Sequence, residues 1–206
     1  MYTDLTYVNC SLDRHRPRVV LAQRNLAEES GQWAVAWKVI RDCGYHCWHP
    51  FRFDWRLAVE VADGYGNRTG RMAAEAGDRF AFVRESSGRG RLVRETAAGM
   101  DDSISVVNRT LQEALIVRLY RGEGLLAVPR LLSPLEESVF CFDRTLLLGT
   151  SLRRLEGETV EVKRLMGPPA EIGLSGIRKG RIVMTSGGFG PSALPLRFYL
   201  EKEERW

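Results

Sequence analysis

The hydrophobic and polar positions of this chain alternate with a period of two. In "RLAVEVAD", Leu57, Val59 and Val61 fall on one face and Ala58 and Glu60 on the other. In "ALIVRLYR", Leu115, Val117 and Leu119 oppose Arg118. "ETVEVKRL" carries the same pattern less regularly through Val160, Val162 and Leu165. "WAVAWKVI" reads as one strand with Trp33, Val35, Trp37 and Val39 inward. Glycine-rich turn strings recur at short intervals: "ADGYGN", "SSGRGR", "YRGEGL", "SGIRKGR" and "TSGGFG". No window shows a capped helical stripe; "NRTLQEALIVRLY" comes nearest, and its β-branched second half reads as strand. The pattern predicts an all-β protein, an antiparallel β-sandwich of about a dozen short strands.

The strand units hint at two related halves. "LAVEVADGYG" (57–66) aligns without gaps on "LIVRLYRGEG" (115–124), and "FAF" (80–82) parallels "FCF" (140–142). Duplicated hairpin units are therefore expected near 57–83 and 115–142. "AEIGLSGIRKGRIVMTSGG" is a candidate third hairpin. No clean linker divides the chain, so a single sandwich domain over 1–206 is expected. "MGPPA" (166–170) is the best candidate boundary, because two prolines after glycine interrupt regular structure. The segment 170–206 is too short to fold alone and is expected to return and complete the sheet.

Composition adds limits more than chemistry. A chain of 206 residues with 44% hydrophobic and 27% charged residues is ordinary for a soluble globular protein. It opens without a basic and apolar leader, and no apolar run reaches the ~18 residues of a membrane helix. A soluble, cytoplasmic protein without a transmembrane segment is expected. Net charge is +4, yet 26 of the 30 basic residues are arginine scattered along the chain. The cluster "RESSGRGRLVRE", with Arg84, Arg89, Arg91 and Arg94, resembles a basic hairpin tip, but no aromatics are interleaved for base stacking. Nucleic acid is therefore disfavoured as a partner.

One stretch looks like chemistry: "CGYHCWHPFRF", residues 43–53. Cys43, His46, Cys47 and His49 are zinc-type ligands. As an extended strand, Cys43 and Cys47 would stand about 13 Å apart, whereas ligands of one zinc lie within about 4 Å of each other. Only a tight loop about Gly44 could gather them, with Cys10, Cys141 or His15 as distant partners. The spacing is not the C-x-x-C of a redox pair. A turn between two strands, with Pro50 marking an edge, is the main reading, and a zinc-binding enzyme or module is the alternative.

The same region is dense in aromatics: Tyr45, Trp48, Phe51, Phe53, Trp55 and Tyr65. Exposed tryptophan and tyrosine make good anchors for a partner. Tyr45, Trp48, Arg52, Trp55, Arg56 and Tyr65 are the candidate binding residues. Other catalytic patterns are missing: "GLSGI" is no nucleophile elbow, "SGGFGPS" lacks a phosphate-binding lysine, and "DGYGN" has too few oxygens for calcium. Adjacent acidic pairs such as Glu28–Glu29 and Asp101–Asp102 would diverge on strands. Three Asn-x-Ser/Thr strings begin at Asn9, Asn67 and Asn108.

By elimination the chain reads as a non-catalytic protein without cofactor, acting in protein–protein interaction or self-assembly as a homo-oligomer. A protein that binds a lipid surface or glycan through exposed tryptophans is a further alternative.

Overall fold

A computed structural model describes residues 1–13, 16–28, 32–95, 102–128, 131–188 and 194–205. His15, Glu29, Asp101, Trp206 and most of "SGGFGPS" lie outside these residues. The protein is all-β, with eighteen strands and one 3-10 turn, Val162–Arg164, among the described residues. No helix of these residues is long and apolar enough to cross a membrane.

The chain divides into two compact units, and the second is inserted into the first. Unit 1 holds Met1–Arg24, Gln32–Trp55 and Arg144–Trp206; unit 2 holds Asn25–Gly31 and Arg56–Asp143. The chain thus passes from unit 1 to unit 2 at Arg24–Asn25 and again at Trp55–Arg56, and returns at Gly31–Gln32 and at Asp143–Arg144.

Before the insertion, unit 1 contributes β1 (Tyr2–Asn9), β2 (Arg18–Ala22), β3 (Trp33–Val35), β4 (Lys38–Ile40) and β5 (Trp48–Asp54). Unit 2 follows with β6 (Leu57–Ala62), β7 (Met72–Ala74), β8 (Arg79–Arg84), β9 (Gly90–Glu95), β10 (Ser103–Asn108), β11 (Ile116–Arg121), β12 (Gly124–Ala127) and β13 (Glu137–Cys141). Unit 1 resumes with β14 (Thr145–Ser151), β15 (Thr159–Glu161), β16 (Met166–Gly173), β17 (Ile177–Gly187) and β18 (Leu194–Arg205).

Each unit contains two four-stranded sheets, and their strand orders correspond one to one. Unit 1 has β18-β17-β1-β5 and β16-β14-β2-β4; unit 2 has β9-β8-β10-β13 and β7-β6-β11-β12. The single parallel contact occupies the same place in both: β1 beside β17, and β10 beside β8. Unit 1 adds a two-stranded sheet, β15-β3. The correspondence pairs β1, β2, β4 and β5 with β10 to β13, and β14, β16, β17 and β18 with β6 to β9. Residues 1–95 and 102–205 are therefore two repeats, and each unit combines the first half of one repeat with the second half of the other.

The sequence carries this correspondence in short strings. "LTYVNCSL" at the end of β1 matches "ISVVNRTL" at the end of β10, and "FRFD" (51–54) matches "FCFD" (140–143) just before the crossings at Trp55–Arg56 and Asp143–Arg144. The matched inward positions are core in both units: Leu5 and Ile104, Phe51 and Phe140, Leu21 and Leu119, Ile182 and Phe80 are all buried. Burying a large apolar side chain of this kind is worth about 1.5–3 kcal/mol, so conservative exchanges at these positions keep both cores filled.

The hairpins aligned by sequence above stand in another relation. Leu57–Gly66 and Leu115–Gly124 begin in β6 and β11, which pair antiparallel in one sheet of unit 2. By strand order β6 corresponds to β14, and β11 to β2. The Gly-x-Gly likeness reflects turn chemistry common to tight hairpins. In "AEIGLSGIRKGRIVMTSGG", β16 and β17 join different sheets and form no hairpin.

Two local expectations are also corrected. The run Trp33–Ile40 is two strands, because β3 pairs with β15 and β4 with β2; Trp33 is 48% exposed, while Val35, Trp37 and Val39 are buried. "MGPPA" falls inside β16, paired with β14, and marks no boundary. The alternation through Val160 and Val162 ends in the 3-10 turn, which lets Val160, Val162 and Leu165 all face the core. Segment 170–206 supplies the end of β16 and the whole of β17 and β18, with β17 lying between β18 and β1.

Candidate functional site

The Cys43–His49 segment is a tight turn followed by the start of β5. The Cys47 N–H donates to the Gly44 carbonyl (3.0 Å), and the Cys43 thiol donates to the Cys47 carbonyl (3.4 Å). His46 takes a positive φ of 59° and its ring stacks on Tyr45 at 3.9 Å. The turn is fastened to β1 through Asn9. Asn9 Nδ2 donates to the Cys43 carbonyl (2.7 Å), the Asn9 N–H donates to Cys47 (3.0 Å), and the His46 N–H donates to the Asn9 carbonyl (2.7 Å). Asn9 Oδ1 also accepts from the N–H and the hydroxyl of Ser11.

Unit 2 builds the same turn from other residues. Asn108 ends β10, donates its N–H to the Glu136 carbonyl (2.9 Å), and accepts from the Leu135 N–H (2.9 Å). Asn108 Nδ2 donates to the Leu132 carbonyl (3.2 Å), and Asn108 Oδ1 accepts from the N–H and hydroxyl of Thr110. Leu135 has a φ of 64°, and the Glu136 N–H closes the turn on Ser133 (3.2 Å). No cysteine or histidine occurs in Leu132–Ser138. The turn is thus made by a buried asparagine carboxamide, and its geometry requires no thiol or imidazole.

Among the described residues, no three His, Cys, Asp or Glu side chains converge to hold a metal ion. The zinc alternative over Cys43, His46, Cys47 and His49 finds no assembled ligand set. All four cysteines are free thiols. Partial burial, and then the neighbouring Cys47, raise the pKa of Cys43 and keep its thiol protonated. Burial, followed by Lys38, lowers the pKa of His49.

The outward face of the sheet β18-β17-β1-β5 is where aromatics are displayed. Along β5, Trp48, Pro50 and Arg52 point out while Phe51 and Phe53 are buried. Register sets Trp48 opposite Val8, Val8 beside Val183, and Val183 opposite Tyr199. One apolar row therefore crosses all four strands. Its ends are exposed, Trp48 at 67% and Tyr199 at 45%, while Val183 between them is only 4% exposed. Tyr45, on the turn beside β5, is exposed as well. Charged pairs border the row: Arg52 with Asp4 at 3.2 Å, and Arg181 and Lys179 with Glu203 at 2.6 and 3.1 Å. The Arg52 guanidinium also lies 4.5 Å from the centre of the Tyr2 ring.

The corresponding row in unit 2 is Glu137, Val107, Ala81 and Val93. It carries no aromatic, and Glu137 is paired with Arg79 (3.5 Å). The fold closes without Trp48 and Tyr199, so these two side chains are additions to the surface of unit 1.

The remaining candidates divide between the units. Trp55 is half-buried in unit 1, edge-on to Phe53 (4.8 Å), with its Nε1–H on Thr3 Oγ1 (3.1 Å) and the Arg144 guanidinium over its ring (5.3 Å). It packs rather than displays. Arg56 and Tyr65 belong to unit 2; Tyr65 is 87% exposed, at the tip of the Asp63–Asn67 turn.

Sequence reasoning missed an ionic knot in unit 2. The buried Asp63 accepts from the Tyr65 and Asn67 N–H groups, from Asn67 Nδ2, and from Arg84 Nη2 (3.0 Å). Arg84 also forks onto Glu113 and donates to the Gly88 carbonyl. Asn67, then the other N–H donors and Arg84, overcome the cost of burial and hold the Asp63 carboxyl below its usual range. A cleft of about 260 Å³ opens beside it, lined by Asn67, Arg68, Thr69, Phe82 and Arg89. Arg91 pairs with Glu85 and Arg94 with Asp78, so Arg84, Arg91 and Arg94 of the hairpin are engaged by carboxylates, while Arg89 lines the cleft. The Asn-x-Ser/Thr strings are likewise structural, since Asn9, Asn67 and Asn108 each spend their carboxamide inside a turn.

No protein family, curated protein or solved structure matches this chain.

Proposed function

We propose that the protein is a non-catalytic binding protein that engages a protein partner, or further copies of itself, through the outward face of the β18-β17-β1-β5 sheet. The observation carrying this reading is the difference between equivalent rows: Trp48–Val8–Val183–Tyr199 in unit 1 against Glu137–Val107–Ala81–Val93 in unit 2. An aromatic pair at the ends of a half-covered apolar row, bordered by arginine and carboxylate, is the composition of an interface centre and its rim. The pairing of Arg84, Arg91 and Arg94 with carboxylates and the partnered Asp63 favour the row over the hairpin as the binding surface.

The test is self-association by sedimentation over a concentration series, comparing the wild-type chain with Trp48→Ala and Tyr199→Ala. A dissociation constant at least tenfold weaker for each variant, with circular dichroism unchanged, is expected, in line with about 1–2 kcal/mol per aromatic anchor. Wild-type chains that stay monomeric, or variants that associate as strongly as the wild type, would count against this face. Retention of the wild type on vesicles or glycan resins, lost in Trp48→Ala, would replace the protein partner by a lipid or sugar surface.

A further inference from the structure

Unit 1 is assembled from Met1–Arg24, Gln32–Trp55 and Arg144–Trp206, so its β1–β5 half and its β14–β18 half are separated in the chain by Arg56–Asp143 of unit 2. Its first half, β1 to β5, leads directly into unit 2, and its second half, β14 to β18, begins where unit 2 ends.

The halves of unit 1 meet along two seams. Asp4–Asn9 of β1 pairs parallel with Lys179–Met184 of β17, and Arg18–Ala22 of β2 pairs antiparallel with Leu147–Ser151 of β14. Across these seams the Thr3 hydroxyl donates to the Ile177 carbonyl (2.8 Å), the Tyr7 hydroxyl to Met184 Sδ (3.4 Å), and Gln23 Nε2 to the Thr145 carbonyl (3.1 Å). Leu5 and Ile182 are buried on either side of the parallel seam. Every contact in this list is between residues far apart in sequence, and the strand order is indifferent to whether both halves come from one chain.

We propose that unit 1 is an exchangeable joint: β1–β5 of one copy can close on β14–β18 of a second copy of the same chain, linking molecules head to tail through unit 2. The partner is a second copy because the complementary half already exists in every chain, with its register, buried side chains and hydrogen-bond partners in place. Two repeats that exchange halves inside one chain stand to each other as two chains do in a swapped dimer. The same closure made between copies continues as an open array or closes as a ring. This exchange is independent of the outward aromatic row and does not rest on the function proposed above.

The experiment uses two full-length chains with reciprocal defects. Leu5→Asp places an unpartnered carboxylate in the core on β1, and Ile182→Asp does so on β17, so neither chain closes unit 1 on itself. Refolded together, the intact β14–β18 of the first and the intact β1–β5 of the second are expected to form a 1:1 dimer with one closed unit 1, seen as a doubled mass by native mass spectrometry. A mixture that behaves as the sum of the two separate chains overturns the proposal. A second measurement does not depend on how either variant folds: isotopically light and heavy wild-type chains are unfolded together and refolded at high concentration. Mixed dimers that persist on dilution are expected, and products that are all unmixed monomer overturn the exchange. Repeating this with Trp48→Ala separates the two ideas, because exchanged dimers survive that change while association through the outward face does not.

Discussion

His46 and Leu135 occupy one structural position in two units: each takes a positive φ, 59° and 64°, and each donates its N–H to the carbonyl of the asparagine that ends a neighbouring strand, Asn9 or Asn108. The identity of the side chain at this position is free, whereas the backbone conformation and the asparagine are fixed. A left-handed conformation costs a non-glycine residue about 1–2 kcal/mol, and leucine tolerates it less well than histidine. Leu135 is exposed, so little packing is lost on truncation. Leu135→Gly is therefore expected to stabilise unit 2 by up to about 1 kcal/mol, after the entropy that glycine costs. His46→Gly should gain less. Thermal melts of the two variants check the order, and a lower melting temperature for Leu135→Gly would contradict it.

Asn9 and Asn108 are the fixed partners of those turns. Removing a buried carboxamide strands the N–H and C=O groups that it served, at about 1–3 kcal/mol. Asn108 Nδ2 serves the carbonyls of Glu113, Leu132 and Ser133, while Asn9 Nδ2 serves that of Cys43. Asn108→Ala should therefore cost more than Asn9→Ala, and the double variant should show the sum, because the sites share no partners. Urea unfolding followed in both units measures this; equal and small effects would mean that water replaces the carboxamides.

The cysteines of the first turn have no counterpart in the second. Cys43→Ser with Cys47→Ser is expected to leave the melting temperature within about 2 °C of wild type, less than 1 kcal/mol for units of this size. Neither chelator nor added zinc should move it. A chelator-dependent loss of stability in the wild type, abolished by the double change, would restore the zinc alternative.

The all-β class was legible because sequence alternation marks strands such as Leu57–Ala62 and Ile116–Arg121, whose Val59, Val61, Val117 and Leu119 are buried. The three-residue strands β3 and β4 fall below any periodic window, so Ala36–Trp37, where the chain changes sheets, looked like the middle of one strand. Trp48 was legible as a candidate aromatic, but the row that joins it to Tyr199 was not, since only register brings β18 across β17 and β1 to the same row. The repeats left their trace where hydrogen bonding, not alternation, dictates the residue. "YVNCSL" against "VVNRTL" and "FRFD" against "FCFD" are the informative strings. Glycine-rich hairpins resemble one another for reasons of turn geometry, which is why β6 and β11, neighbours in one sheet, looked like copies.

Acid should act on the ionic knot of unit 2. The folded-state pKa of Asp63 lies below its unfolded value, chiefly through Asn67 and then Arg84, so the stability it contributes is present above about pH 4 and drains away as pH falls toward the folded pKa. Asp63→Asn removes that titration. Its urea midpoint should be lower than that of the wild type near neutrality and should fall less between about pH 4 and 2. Parallel pH profiles for the two chains would show that Asp63 is not the titrating group.

The equivalence of the repeats has a sharper consequence for connectivity. Ile177 pairs with Arg205, and the β1–β17 register continues to place Tyr2 beside Ile177, so β18 ends two strands from where β1 begins. That separation is about 10 Å. In unit 2, Arg79 pairs with both Glu95 and Ser105, so β9 ends and β10 begins across the same gap of two strands. A permuted chain running from Asp102 to Arg205, then through a copy of 96–101, then from Tyr2 to Glu95, has ample reach, since six residues span up to about 20 Å. It should fold to the same strands with a melting temperature within a few degrees of the parent, because it only exchanges the roles of the units: unit 1 becomes the continuous one and unit 2 the one closed from separated halves. Far-ultraviolet circular dichroism and a melt decide it. A permuted chain that is unfolded or aggregated would mean that the 96–102 connection does more than bridge, and that the two units are alike in strand order without being interchangeable in how they close.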